Sequence, residues 1–160
     1  MKNFKVKTLL TLFFIAAFVS PLISQGNFYN FKNAGVNFWY PDNWLVREHI
    51  LLIMIPKEED LTVNLQLMES VNLNNAVNES LNELKILYPE DTVFIVKDVE
   101  INKISAKEIK KTAGGITVNY IFLNTPEGKI LKLYYTASDE KVLKYNSDLE
   151  KIKKSFKPVN

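Results

Sequence analysis

A chain of 160 residues with 47% hydrophobic and 24% charged residues has the size and balance of one globular domain. It carries 20 basic and 18 acidic residues, one histidine and no cysteine. The missing cysteine excludes disulfides, thiolate metal sites, a cysteine nucleophile and a lipid-modified cysteine.

The N-terminal stretch differs from the rest. Lys2, Lys5 and Lys7 precede an apolar run from Leu9 to Val19, interrupted only by Thr11, and Ser20-Pro21 close it. A basic start, a short apolar core and small residues at its end read as a secretory signal peptide. Bilayer crossing takes about 20 apolar residues, so the run is short for a span, and a retained N-terminal anchor is the alternative to a cleaved leader. The expectation is a leader over residues 1–24, cleaved after Ser24, and a single domain over residues 25–160. That domain would be secreted or periplasmic, with no stable membrane anchor after cleavage. The leader contains three of the basic residues and none of the acidic ones, which leaves 17 against 18 and a net charge of −1. A near-neutral domain is a poor match for nucleic acid, where affinity comes mainly from phosphate neutralisation.

After the leader, Asn27–Asn33 is an aromatic lead-in that predicts an edge strand. Gly35 breaks it. Val36–Tyr40 predicts a strand with Val36, Phe38 and Tyr40 on one side and Trp39 on the other. Pro41-Asp42-Asn43 is turn chemistry, and Trp44-Leu45-Val46 is expected to return as the next strand. Ile50–Ile55 is a continuous apolar run, read as a strand buried on both faces. Leu61–Met68 alternates, with Leu61, Val63, Leu65 and Leu67 inward and Thr62, Asn64 and Gln66 outward.

The period then becomes helical. Val77, Leu81, Leu84 and Tyr88 recur at three- and four-residue spacing, with Asn74 as expected N-cap and Pro89 as the stop. Four strand-like runs follow within Val93–Ala137, separated by Asn102-Lys103, Gly114-Gly115 and Thr125-Pro126-Glu127-Gly128. Tight turns between successive strands predict an antiparallel meander. Asn102-Lys103 stands where an Asn-Gly pair would be favoured, which implies a strained or longer connection. Ser138 is a natural N-cap with Asp139 and Glu140 behind it, and Val142, Tyr145, Leu149, Ile152 and Phe156 form one stripe of a final helix. Lysines 151, 153, 154 and 157 crowd its negative end, and Pro158 follows. The order predicts an α+β fold with an antiparallel β-sheet flanked by helices.

The candidate chemistry is sparse. His49 stands alone, whereas an imidazole metal site needs further ligands, and no serine sits in a nucleophile elbow. Glu58-Glu59-Asp60 lacks the alternate spacing and glycine of a calcium loop and reads as a solvated loop. Gly114-Gly115 lacks the lysine and following helix of a phosphate loop. No pattern calls for a cofactor. The remaining candidate is a polar sheet face: Thr62, Asn64 and Gln66 on one strand, and Thr117 with Asn119 on another. If those strands adjoin, they form a hydrogen-bonding patch; the alternative is an ordinary solvated sheet face. Trp39 points opposite Phe38, either exposed as a partner contact or packed under a helix.

The stretch Gly35-Val36-Asn37-Phe38-Trp39-Tyr40-Pro41-Asp42-Asn43-Trp44 resembles the opening motif of the PsbP-like superfamily. The resemblance extends through the central helix, the hairpin at Ile101–Ala106 and the strand pair before a helix ending near Ser155-Phe156. It spans Phe28 to Phe156, with Asn102-Lys103 departing from the usual Asn-Gly. The resemblance implies an α-β-α sandwich and an accessory or binding role; the photosystem role of the namesake has no residue here to carry it. The expectation is an exported, non-enzymatic binding or accessory protein of the envelope, its partner an unknown protein or small ligand. The alternatives are a carboxylate-based hydrolase with two converging acids and a purely structural envelope subunit.

Overall fold

The computed structural model describes residues 25–48, 51–70, 72–89 and 93–159. The leader over 1–24 and His49 therefore lie outside the described residues.

The aromatic lead-in is strand β1 (Gly26–Phe31), paired antiparallel with β2 (Val36–Pro41), with Phe28 opposite Trp39. A 3-10 turn over Lys32–Ala34 joins them, and Gly35 ends it at φ 62°, a conformation that glycine adopts at little cost. A two-residue strand unforeseen in the sequence, β10 (Lys157–Pro158), zips onto the other edge of β2.

The next strand, β3 (Trp44–Glu48), does not return along β2 as expected. It opens a second sheet of seven strands in the order β3-β4-β5-β9-β8-β7-β6. The cause is that β2 has no free edge to offer. β1 covers one side, while the other carries β10 and the Ser155 hydroxyl, which accepts the Trp39 N–H at 2.7 Å. Trp44 instead buries its ring edge-on against Tyr145, with centroids 5.7 Å apart.

Strand β4 (Leu52–Pro56) alternates rather than being buried on both faces: Leu52, Met54 and Pro56 are buried, Ile53 and Ile55 half-buried. β5 (Val63–Met68) alternates as its period predicts, with Val63 and Leu65 inward. Helix α1 (Leu73–Leu87) is capped by Asn72 rather than Asn74; the Asn72 side chain accepts the Asn75 N–H at 3.0 Å, and Asn74 lies within the first turn. Pro89 follows its end.

The meander is present: β6 (Ile95–Ile101), β7 (Ile104–Ala113), β8 (Ile116–Asn124) and β9 (Ile130–Ser138) pair in succession, all antiparallel. The Asn102-Lys103 turn is tight, and both residues sit at positive φ, 50° and 68°. The strained form of the connection is the one adopted.

The final helix is two. α2 (Asp139–Lys144), capped by Ser138, is separated from α3 (Asn146–Ser155) by Tyr145 at φ −101°, ψ 9°. Tyr145 is drawn out of a continuous helix by its contacts. Its hydroxyl donates to Asp60 at 2.7 Å, with the Glu58 carboxylate a second, longer acceptor at 3.2 Å, while its ring packs on Trp44. Local propensity alone favours one unbroken helix, but these tertiary contacts decide otherwise.

Two cores result. α1 sets Ala76, Val77 and Leu84 over Ile109, Val118, Tyr120, Phe122 and Ile130 on one face of the large sheet. On the other face, α3 and the small sheet cover Leu52, Met54, Val63, Leu65, Ile121 and Leu133. Phe38 of β2 stacks on Phe156 at 5.1 Å, both fully buried, and each such ring contributes roughly 1.5–3 kcal/mol by burial. The layers are those of an α-β-α sandwich.

Candidate functional site

The polar residues singled out from the sequence do not form one patch. β9 lies between β5 and β8. Asn64 is in register with Tyr134, and Tyr134 with Tyr120, so Asn64 and Gln66 share the face under α1. Asn119 is paired with Tyr135 and points to the opposite face, under α3. Thr62 is exposed just ahead of β5, and Thr117 is buried with its hydroxyl donating to Asp139 at 2.7 Å. Trp39 is 5% exposed rather than projecting into solvent.

Each face has its own polar centre. Under α1, opposite Gln66, Lys132 is buried with its ammonium 4.9 Å from the Tyr134 ring centroid and 5.5 Å from that of Tyr120. Glu83 lies 3.8 Å away. Burial lowers the Lys132 pKa, and Glu83 and Glu79 partly offset this. A cation seated on two rings and balanced at its outer end is a structural solution for a buried lysine.

Under α3, Asn119 donates its amide to Glu108 at 2.9 Å, and Lys153 reaches Glu108 at 3.2 Å and Glu150 at 3.4 Å. Burial by itself would raise the Glu108 carboxyl. The Asn119 hydrogen bond and the Lys153 charge outweigh it and hold the group below the usual glutamate range. Tyr135, alongside, is pushed up to about 12 by burial and by the charges of Glu108 and Glu150. The enclosed space here is about 30 Å³, room for one water. Glycoside hydrolysis needs one carboxyl kept protonated opposite its partner. Here two carboxylates share a lysine, and the more buried one is stabilised as the anion. The cluster fastens α3 to the sheet.

The acidic loop is also engaged by the fold. Asp60 accepts from Tyr145 and, at 2.9 Å, from Lys144, and these two hydrogen bonds hold its carboxyl low. Among the described residues, no group of three metal-binding side chains gathers.

Among the open depressions of the described residues, one groove of about 600 Å³ lies between the small sheet and α3 and carries clustered charge. Phe28 and Trp39 form its apolar wall; Lys151, Lys154 and Lys157 line its rim, with Glu150 the carboxylate among them. The Lys151 ammonium sits 3.7 Å from the Trp39 ring centroid, and that of Lys157 sits 5.0 Å from Phe28. Lys154 is 3.6 Å from Glu150. Each ring thus positions an ammonium by cation–π attraction. Asn102 closes one end, donating to the carbonyls of Lys154 at 2.6 Å and Phe156 at 2.8 Å. These are the last carbonyls of α3, so the hairpin caps the helix that carries the lysines. The lysines were visible in the sequence and read as dipole complementation. Their aromatic platforms come from β1 and β2, more than a hundred positions away, and no local pattern links them.

No protein-family profile matches the chain, and no curated protein matches it. Solved structures do. Cyanobacterial PsbP (CyanoP) of a Synechocystis species superposes with a TM-score of 0.62 at 12% identity, over 87% of this chain and 95% of that one. LpqN of Mycobacterium tuberculosis, a protein involved in cell envelope biogenesis, gives 0.50 at 14% identity, over 82% and 89%. A protein of Bacteroides thetaiotaomicron gives 0.53 at 13% identity over 84% of this chain, which spans only 48% of that one. At such identities the likeness is one of architecture, and it agrees with the sandwich and the meander. The fold of this chain is PsbP-like.

Proposed function

We propose that the protein is an exported accessory protein of the cell envelope that works by binding, and that the groove between the small sheet and α3 is its binding site. The observation that carries this reading is the groove: an open cleft with two aromatic rings and three positioned ammoniums, of a size typical for ligand sites. Export is supported by the leader pattern, and the envelope setting of LpqN is in keeping with it. A binding role rather than hydrolysis is supported by the ionised state of Glu108 and by the lysine between it and Glu150.

Two measurements test the reading. Mass spectrometry of the protein recovered from producing cells should give an N-terminus at Gln25. A photo-reactive residue at position 28, beside the groove, should yield a discrete adduct in cells; the same residue at Leu143, which is 79% exposed on α2, should not. Adducts confined to position 143, or an intact Met1, would remove the corresponding half of the proposal.

A further inference from the structure

We infer that the groove docks the protein on anionic phospholipid, with the three lysines at the level of the lipid phosphates and Phe28 entering the layer beneath them. The inference rests on the reading of this groove as the binding site and names what fills it.

Charge complementarity comes first. The groove lining brings Lys151, Lys154 and Lys157 together beside the carboxylate of Glu150, although residues 25–160 as a whole are slightly acidic. The positive charge is therefore local and arranged, not a property of the whole domain. Two of the ammoniums rest on ring faces, which restricts them before any ligand arrives and reduces the entropy lost on binding.

The second observation is the apolar contact. Phe28 is 63% exposed, yet it stands directly beside the Lys157 ammonium. Val159, at 39%, follows on the same terminal segment. An exposed apolar ring beside an ammonium suits a lipid interface, where the ring enters the acyl boundary and the cation stays in the headgroup layer. A soluble anion would satisfy the lysines but would leave Phe28 in water.

The attachment is peripheral and reversible. Each lysine near an anionic leaflet contributes about fivefold to partitioning, and three together about a hundredfold. It should weaken sharply with added salt, because the contacts are made at the exposed surface.

The test uses the chain from Gln25 onward, which contains every described strand and helix. Co-sedimentation is measured with vesicles of mixed phosphatidylcholine and phosphatidylglycerol and with pure phosphatidylcholine. The protein should bind the mixed vesicles only. Replacing all three lysines (Lys151→Gln, Lys154→Gln, Lys157→Gln) should weaken binding about a hundredfold, and the corresponding arginine triple should restore it. Phe28→Ser should weaken it several-fold. Removing equal charge elsewhere (Lys57→Gln, Lys85→Gln, Lys141→Gln) should leave binding intact. Circular dichroism confirms that each variant is folded; should the glutamine triple fail to fold, Phe28→Ser and the distant triple still decide the matter. Equal binding to pure phosphatidylcholine, or equal loss in the distant triple, overturns the inference. So does displacement from the vesicles by millimolar inorganic phosphate, which marks a soluble-anion site, or by a poly-glutamate peptide, which marks an acidic protein. A discrete protein adduct at position 28 without vesicle binding would sink this inference and leave the broader binding role standing.

Discussion

Asn102 connects the edge hairpin to the end of the last helix, so its replacement tests several links of the fold at once. Its side-chain amide donates to two carbonyls at the end of α3, at 2.6 and 2.8 Å, and its own backbone sits at φ 50°. Each of those hydrogen bonds contributes about 0.5–1.5 kcal/mol net. Alanine in the left-handed region adds a conformational cost of about 1 kcal/mol, which asparagine partly avoids through its local hydrogen bonding. Asn102→Ala should therefore destabilise by about 2–3 kcal/mol. Asn102→Gly removes the same two bonds but tolerates the backbone angle, so it should lose about 1 kcal/mol less. Urea unfolding of both variants at neutral pH, with unchanged m-values, measures the difference. A loss under about 0.5 kcal/mol for alanine, or a glycine variant worse than the alanine one, would refute the reasoning.

Lys103→Gly, at φ 68°, should stabilise the protein by about 0.5–1 kcal/mol, because relief of the backbone strain exceeds the added chain entropy; an unchanged urea midpoint would contradict that. Glu108 titrates below its unfolded value, so the stability it contributes is present above pH of about 4.3 and is lost as pH falls through its lower folded value. Glu108→Gln should flatten the acid limb of the stability–pH curve, and a parallel limb would count against the ionised Glu108 held by Asn119 and Lys153. Gly26→Ala would place a methyl group 2.2 Å from the Trp39 indole nitrogen. Either the ring or the start of β1 must move, at a cost of about 1–3 kcal/mol, with a shift in tryptophan emission as the readout.

What could be read from the chain alone was whatever has a local cause. The alternation at Val63–Met68, the stripe through Val77 and Leu84, and the punctuation of the meander each follow from residues near one another in sequence. The features that escaped were decided at a distance. β3 does not pair with β2 because in the folded protein both edges of β2 are occupied, by Gly26–Phe31 and by Lys157–Pro158. The last helix breaks at Tyr145, where Asp60 holds the hydroxyl and Trp44 packs on the ring. Asn64 and Asn119 are both outward-looking within their own strands. Only the strand order and register show that they look out of opposite faces. The groove follows the same division, since its lysines are local and its rings are not.

The two-residue strand Lys157–Pro158 has a consequence for how the molecule assembles. Phe156 and the Ser155 hydroxyl close the gap between β2 and the remainder, across 116 positions in the case of the Trp39–Ser155 bond. A chain emerging from its N-terminus can form the β1–β2 hairpin early, but the underside of that hairpin stays bare until the final residues appear. Contacts of such long range slow folding. Completion of the small sheet thus waits on Ser155–Pro158, which are synthesised more than a hundred residues after β2, and disrupting that short segment would leave the hairpin without its closing edge.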